Sequence, residues 1–430
     1  LKAQRTHRKD ADVTATQNVT NREILSTLKK WMGTKEVTQF VDEQRKLHKT
    51  EQALLQGVRG SRPEARVLST MATDGRQTLD NLLTTCQQRL DEYQFQELIL
   101  EIGNLYKSRG SLPEAEKTFE TLLHYGERTG KQKFMAEALL RRGEVYSLQG
   151  RWAEAQSDLA HSGRIFNKSK DTLGIGKVEN MIGTNFAEQG QLAKAKTYFT
   201  KALKRFEQSG QRQMAAMTMM NLGIVYTIMG EYEDAMNIYR RSLPEFQAVG
   251  EMNRIAEVRH NMGMSLMHTG KHRDALHEFE LSLSYSLRAK NPALIGLAQL
   301  GKANAHYALR DFSLALALTN IALEEFTRIN DVLSIADAYK LKGMILREQK
   351  HYDLALSLFL TSIRLNEENN NMLNLGETYY QMGLMESTRG KKSEAREAFH
   401  LALEYFKKVG THVETVRTRK ELRQMQEGNA

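Results

Sequence analysis

A pattern that returns every 40 residues, eight times in register and with no insertion, most limits how this chain can fold. Glycine stands at Gly103, Gly143, Gly183, Gly223, Gly263, Gly343 and Gly383, with Ala303 in the missing place. Twelve residues after each comes an alanine: Ala115, Ala155, Ala195, Ala235, Ala275, Ala315, Ala355 and Ala395. Four residues further on stands a large apolar side chain, Phe119, Leu159, Phe199, Tyr239, Phe279, Phe359 or Phe399, but Thr319 in the sixth copy. Between Asn221 and Leu243 the fourth copy reads as two helices and a tight turn. Leu222, Gly223, Val225 and Tyr226 share one face, Gly230 closes the turn, and Tyr232, Ala235, Ile238, Tyr239 and Leu243 share a face of the second helix. A lone hairpin of this size cannot bury its apolar stripe, so each copy needs its neighbours. Small residues at fixed places let helix backbones approach, and the large residue fills the space between hairpins.

The glycine of the first helix, an aromatic three residues later and the alanine of the second helix resemble the tetratricopeptide repeat family. In the fourth copy these are Gly223, Tyr226 and Ala235, and in the first Gly103, Tyr106 and Ala115. The resemblance covers residues 92–410. It implies an all-α, right-handed α-solenoid of eight or nine helical hairpins. The family's usual period is about 34 residues. The longer period here extends both helices to about 17 residues, or ~25 Å each. Repeats longer than usual occur in peptide-binding scaffolds such as kinesin light chain, in Rap-type bacterial regulators and in the sensor arms of bacterial transcription activators.

The remaining chain divides around the array. Residues 1–19 are polar and read as a flexible arm. Residues 20–61 read as helices, with Leu25, Leu28, Trp31 and Met32 on one stripe and a break at Gly33. They form an N-terminal cap, which an exposed solenoid end requires, or a small bundle used for partner binding or homodimerisation. Residues 62–91 align with the array as a degenerate leading repeat. Residues 411–430 read as a closing helix. Pro113 and Pro292 fall in first turns of helices, where a missing N–H costs nothing, whereas Pro244 lies late in a helix and is expected to bend it. Arg310 and Lys350 stand where other copies have a turn glycine, so a left-handed backbone there costs roughly 1 kcal/mol each.

Charge and cysteine usage narrow the functional classes. Residues 1–91 hold 16 Lys and Arg against 11 Asp and Glu, and residues 407–430 hold 6 against 3, so of the net +9 the array between them keeps +1. The basic excess therefore reads as solvated ends, and nucleic acid is not the expected partner. The single cysteine, Cys86, reads as a core residue and rules out an intramolecular disulfide. That usage favours a reducing compartment, and a cytoplasmic location is expected. No run approaches the ~20 apolar residues of a membrane span. No metal-ligand, phosphate-loop or nucleophile motif is present, so neither a cofactor nor an enzymatic activity is expected.

Function is then expected from the inner face. In the resembled family that face is lined by the first helix of each repeat. The family's pattern carries over to Lys177, Asn180, Met181, Thr184 and Ala187 in the third copy and to Met217, Met220, Asn221, Ile224 and Thr227 in the fourth. In the fifth it gives Glu257, His260, Asn261, Met264 and Met267. The middle of the groove is thus methionine-rich, and methionine moulds to varied apolar partners. In related arrays an asparagine at this inner place grips an extended peptide, and Asn221 and Asn261 match it, with Gln381 a looser match. Met219, Met229 and Met262 are expected in the core. Lys340 and Asn304 occupy places used by the family's chaperone-tail clamp, but in the wrong order and without the other basic residues. The expectation is a non-enzymatic scaffold that binds a peptide or helix in its concave groove. The alternative is a ligand-responsive regulator, of the Rap or activator-arm type, using its N-terminal helices on an effector.

Overall fold

The computed structural model describes residues 21–39, 86 and 89–427. They fall into two compact units divided between Ser169 and Lys170. Both are all-α. The expected arm 1–19, most of the 40–61 segment and nearly all of the leading hairpin 62–91 lie outside the described residues.

The first unit holds α1 (Asn21–Met32), α2 (Glu92–Ser108), α3 (Leu112–Thr129), α4 (Gln132–Gln149) and α5 (Trp152–Lys168). Of the stripe expected from the sequence, Leu28 and Met32 are buried and Trp31 is half-buried; Ile24, not named in that stripe, is buried with them. Helix α1 is tied to α2 by polar contacts: Trp31 Nε1 donates to Glu101 at 2.8 Å, Lys30 pairs with the same carboxylate, and Arg109 pairs with Glu23. Gly33, at φ +85°, ends α1. Cys86 is buried next to Met32, and burial pushes its thiol up to about 11, so it stays protonated and inert.

The second unit holds six repeats: α6 (Thr172–Glu188), α7 (Leu192–Gln208), α8 (Arg212–Met229), α9 (Tyr232–Ala248), α10 (Met252–His268), α11 (His272–Ala289), α12 (Pro292–Ala308), α13 (Phe312–Arg328), α14 (Val332–Glu348), α15 (Tyr352–Glu368), α16 (Met372–Thr388) and α17 (Lys392–Val409). Helix α18 (His412–Glu427) follows. Even-numbered helices are the first of each pair. Pro244 lies inside α9, which runs unbroken from Tyr232 to Ala248.

The repeating glycine makes the joint inside each hairpin. A Cβ added at Gly223 would lie 2.4 Å from the Tyr239 ring, and at Gly263 2.6 Å from the Phe279 ring. Carbon atoms in contact sit about 3.5–4.0 Å apart, so only a bare backbone admits the ring. Tyr239, Phe199, Phe279 and Phe359 are fully buried there, and each such ring stabilises the fold by about 1.5–3 kcal/mol. The sixth repeat solves the same problem by reversing sizes: Ala303 carries the extra methyl and Thr319 replaces the ring, with both fully buried.

Turns fall every 20 residues. A positive φ recurs from Gly110 to Gly410 at that interval, including Arg310 at 66° and Lys350 at 64°, as their sequence positions imply. The connection between repeats needs it too, and there Lys170, Lys290, Asn330 and Asn370 adopt it beside Gly210 and Gly250.

Candidate peptide-binding face

In the second unit the first helices also touch one another, α10 most closely against α12. That arrangement makes one continuous wall from α6 to α16. Equivalent residues recur on it every 40 positions, so the wall is a set of rows.

The row of Met220 does not behave as the sequence suggested. Met220 is 4% exposed and sits in a cluster with Met236, Tyr239, Phe246 and Ile255. It is a core residue, and the expectation of a groove contact is corrected. The apolar members of the row, Leu300 and Tyr380, are buried in the same way, whereas the polar Asn180, His260 and Lys340 are half-buried. Met219 and Met262 are buried as expected, and Met229 is half-buried against the core.

Beside that row the wall is more open. Met217 is 37% exposed, and Ile224, Met264 and Met267 are half-buried, packed on the core from outside. Asn221 and Asn261 are half-buried on adjacent helices, one period apart. Among the described residues their carboxamides have no hydrogen-bond partner. Other amides are engaged: Asn180 accepts from Thr218 at 3.1 Å, Asn304 donates to its own helix, and Gln381 accepts from Arg347 at 2.8 Å. Thr227 is likewise used inside the fold, 2.9 Å from the Ser265 hydroxyl. His260 lies against the Phe279 ring, 5.4 Å between centroids, and its Nδ1 is buried without a partner. Burial pushes this imidazole down to about 4, so it is neutral at pH 7.

Charged residues on the wall occur in self-neutralising sets. Glu257 pairs with Arg254 at 2.7 Å, and Arg259 with Glu278 at 2.9 Å. Lys340 lies between Asp337, at 3.0 Å, and Glu377. Burial pulls the Lys340 ammonium down, but the two carboxylates outweigh it and hold its pKa above the ordinary lysine value. Arg347 bonds Gln381, Tyr307 and Glu348 at once. Sequence reasoning weighed Lys340 as a clamp residue and missed the pairing of Lys340 and Arg347 across helices. The signal was a spacing near 40, as in Lys340 with Glu377 and Tyr307 with Arg347.

Between those sets, α8 and α10 offer apolar surface and two free carboxamides. An extended chain laid there finds donors and acceptors for its backbone and soft apolar contacts for its side chains. The charges beside it, Glu257 and Arg259, are already paired, so a charged guest side chain is disfavoured.

Comparison with known proteins agrees with this architecture. Tetratricopeptide repeat profiles match residues 174–247 and, separately, residues 100–160 and 300–370. No curated protein matches the chain. Among solved structures, the apo form of the quorum sensor NprR from B. thuringiensis superposes with a TM-score of 0.58 at 16% identity, over 86% of this chain and 99% of that one. A Rap protein complexed with competence and sporulation factor gives 0.54 at 14% identity, over 77% and 98%. The apo form of RapI gives 0.55 at 14%, over 76% and 98%. At such identities the likeness is one of fold.

Proposed function

The chain is a tetratricopeptide repeat protein, and on that premise we propose that it is a non-enzymatic scaffold whose α8–α10 wall holds an uncharged stretch of another polypeptide. The observation that carries the reading is the pair of unengaged carboxamides, Asn221 and Asn261, in equivalent places on adjacent first helices. Met217, Ile224, Met264 and Met267 flank them and supply the apolar contact. The Rap conjugation gene regulator of plasmid pLS20, solved in complex with the Phr* peptide, shares the fold, which supports a peptide as the class of guest.

The test is selection of displayed peptides on the immobilised full-length chain, repeated with Met264→Glu and Met267→Glu together. Uncharged, apolar sequences are expected from the native chain and none from the variant at unchanged helicity. The same sequences recovered from both would remove the wall from the account.

The regulator reading draws on the N-terminal segment. Within its described part, α1 is bonded to α2 through Glu101, which supports the cap over the effector module. Deletion of residues 1–60 separates the readings: a scaffold keeps its peptide affinity, and a regulator loses its output.

A further inference from the structure

The second unit closes on itself. A Cβ added at Gly190, in the turn after α6, would lie 3.4 Å from the carbonyl oxygen of Val409, at the end of α17. More than five periods of chain separate the two. Next along each edge, Glu414 of α18 lies close enough to Tyr232 to raise its phenol pKa, after burial as the main cause. Further along, His268 at the end of α10 feels Glu414, Arg417 and Glu377. So three successive turns, after α6, α8 and α10, face the stretch from Val409 to Arg417 in order. Tyr232 and His268 stack with centroids 5.2 Å apart and planes at 7°, which gives this edge a flat aromatic surface.

This seam is built differently from the joints between repeats. In the second unit, helices that pack along one another are neighbours in the chain or first helices of adjacent repeats. Among the described residues no ring pair joins the two edges, and Gly190 meets a backbone carbonyl where Gly263 and Gly301 meet the Phe279 ring. The apolar side chains of α18 nearest it, Val413 and Val416, are 54% and 49% exposed. A contact of turns and polar groups opens at lower free energy than a packed core.

We propose that the seam formed by Gly190, Tyr232 and His268 with Val409, Glu414 and Arg417 is a latch that shuts the inner wall from the side. Parting of the seam admits a guest to Asn221 and Asn261, and its closing retains that guest. The nature of the guest rests on the peptide reading above; the latch does not.

The test therefore uses no peptide. Met264→Cys in a Cys86→Ser background puts a single thiol on the inner wall. Its alkylation is followed with N-ethylmaleimide and with a maleimide on a long polyethylene glycol chain. His268→Glu sets a carboxylate against Glu377 and Glu414 and forces the seam apart; Gly190→Trp does so by bulk at Val409. Each is expected to raise the rate with the polymer reagent by about tenfold, as local opening becomes easier, while the rate with N-ethylmaleimide and the helicity stay unchanged. His268→Gln, uncharged, is expected to behave as the parent. Equal polymer rates in the parent and in whichever seam variants keep native helicity would overturn the latch. Loss of peptide selection would not affect this result, and an absent latch would leave peptide selection standing.

Discussion

The walls contributed by α8 and α10 and by α14 and α16 share one geometry and differ in chemistry. On α14 and α16 polar groups satisfy each other: Lys340 holds Asp337 and Glu377, and Arg347 holds Gln381, Tyr307 and Glu348. On α8 and α10 the places of Asp337, Gln381 and Arg347 carry Met217, Asn221, Asn261 and Met267, and the two amides have no internal partner. Buried polar groups are normally paired. The difference teaches that one part of the wall holds neighbouring repeats together, while the other keeps polar groups unengaged, which is what the proposed guest site needs.

The largest effect that sharpens this contrast comes from two methionines on different first helices, one in the core and one on the wall. Met220→Glu puts an unpaired charge in the core and is expected to destabilise the fold by more than about 3 kcal/mol, read as a fall in denaturation midpoint. Met264→Glu, on the open face, is expected to leave the midpoint nearly unchanged and to remove peptide binding. Equal destabilisation by both would break the distinction between core and wall.

Next is the charged set. Lys340→Met leaves Asp337 and Glu377 facing each other without their cation, and a loss of about 2 kcal/mol is expected, less than for a fully buried pair because Glu377 keeps part of its exposure. Peptide affinity should not move. A change in affinity with no change in stability would reverse the roles of the two regions.

The pH response follows from His260. Its folded-state pKa is depressed to about 4 by burial, against an ordinary value of 6.5. The unfolded chain therefore binds the proton more readily, and stability is full above pH 6.5 and falls as pH drops from 6.5 towards 4. His260→Gln should flatten the melting temperature over that range. An unaltered slope would place the acid sensitivity elsewhere.

The smallest effect is at a turn. Lys350, at φ 64°, carries a strain of roughly 1 kcal/mol that glycine would relieve. Lys350→Gly is expected to raise the melting temperature slightly and leave binding as it was; a lower one would contradict the assignment.

Much of the fold was legible because it is written eight times. Gly223 with Tyr239, or Gly263 with Phe279, could be read as a joint, and the helix ends at Gly230 and Gly270 followed from the same period. The connections between repeats were harder, since Lys170, Lys290, Asn330 and Asn370 show no glycine and adopt the left-handed backbone under tertiary constraint. The family's pattern named Asn221, Asn261 and Met264, which are half-buried, and also Met220, which is in the core. The pattern comes from shorter helices, and exposure at one row depends on what the neighbouring helices place over it. The seam at Gly190 and Val409 was not legible at all, because no local spacing relates turns so far apart in the chain.

The most direct measurement is affinity for a peptide selected on the native chain, compared between two paired substitutions. Asn221→Ala with Asn261→Ala should weaken binding by about thirtyfold, two hydrogen bonds at about 1 kcal/mol each. Asn180→Ala with Gln381→Ala, whose amides already serve the fold, should change it by less than about twofold at the same helicity. Equal losses from the two pairs, or no loss from the first, would contradict the account.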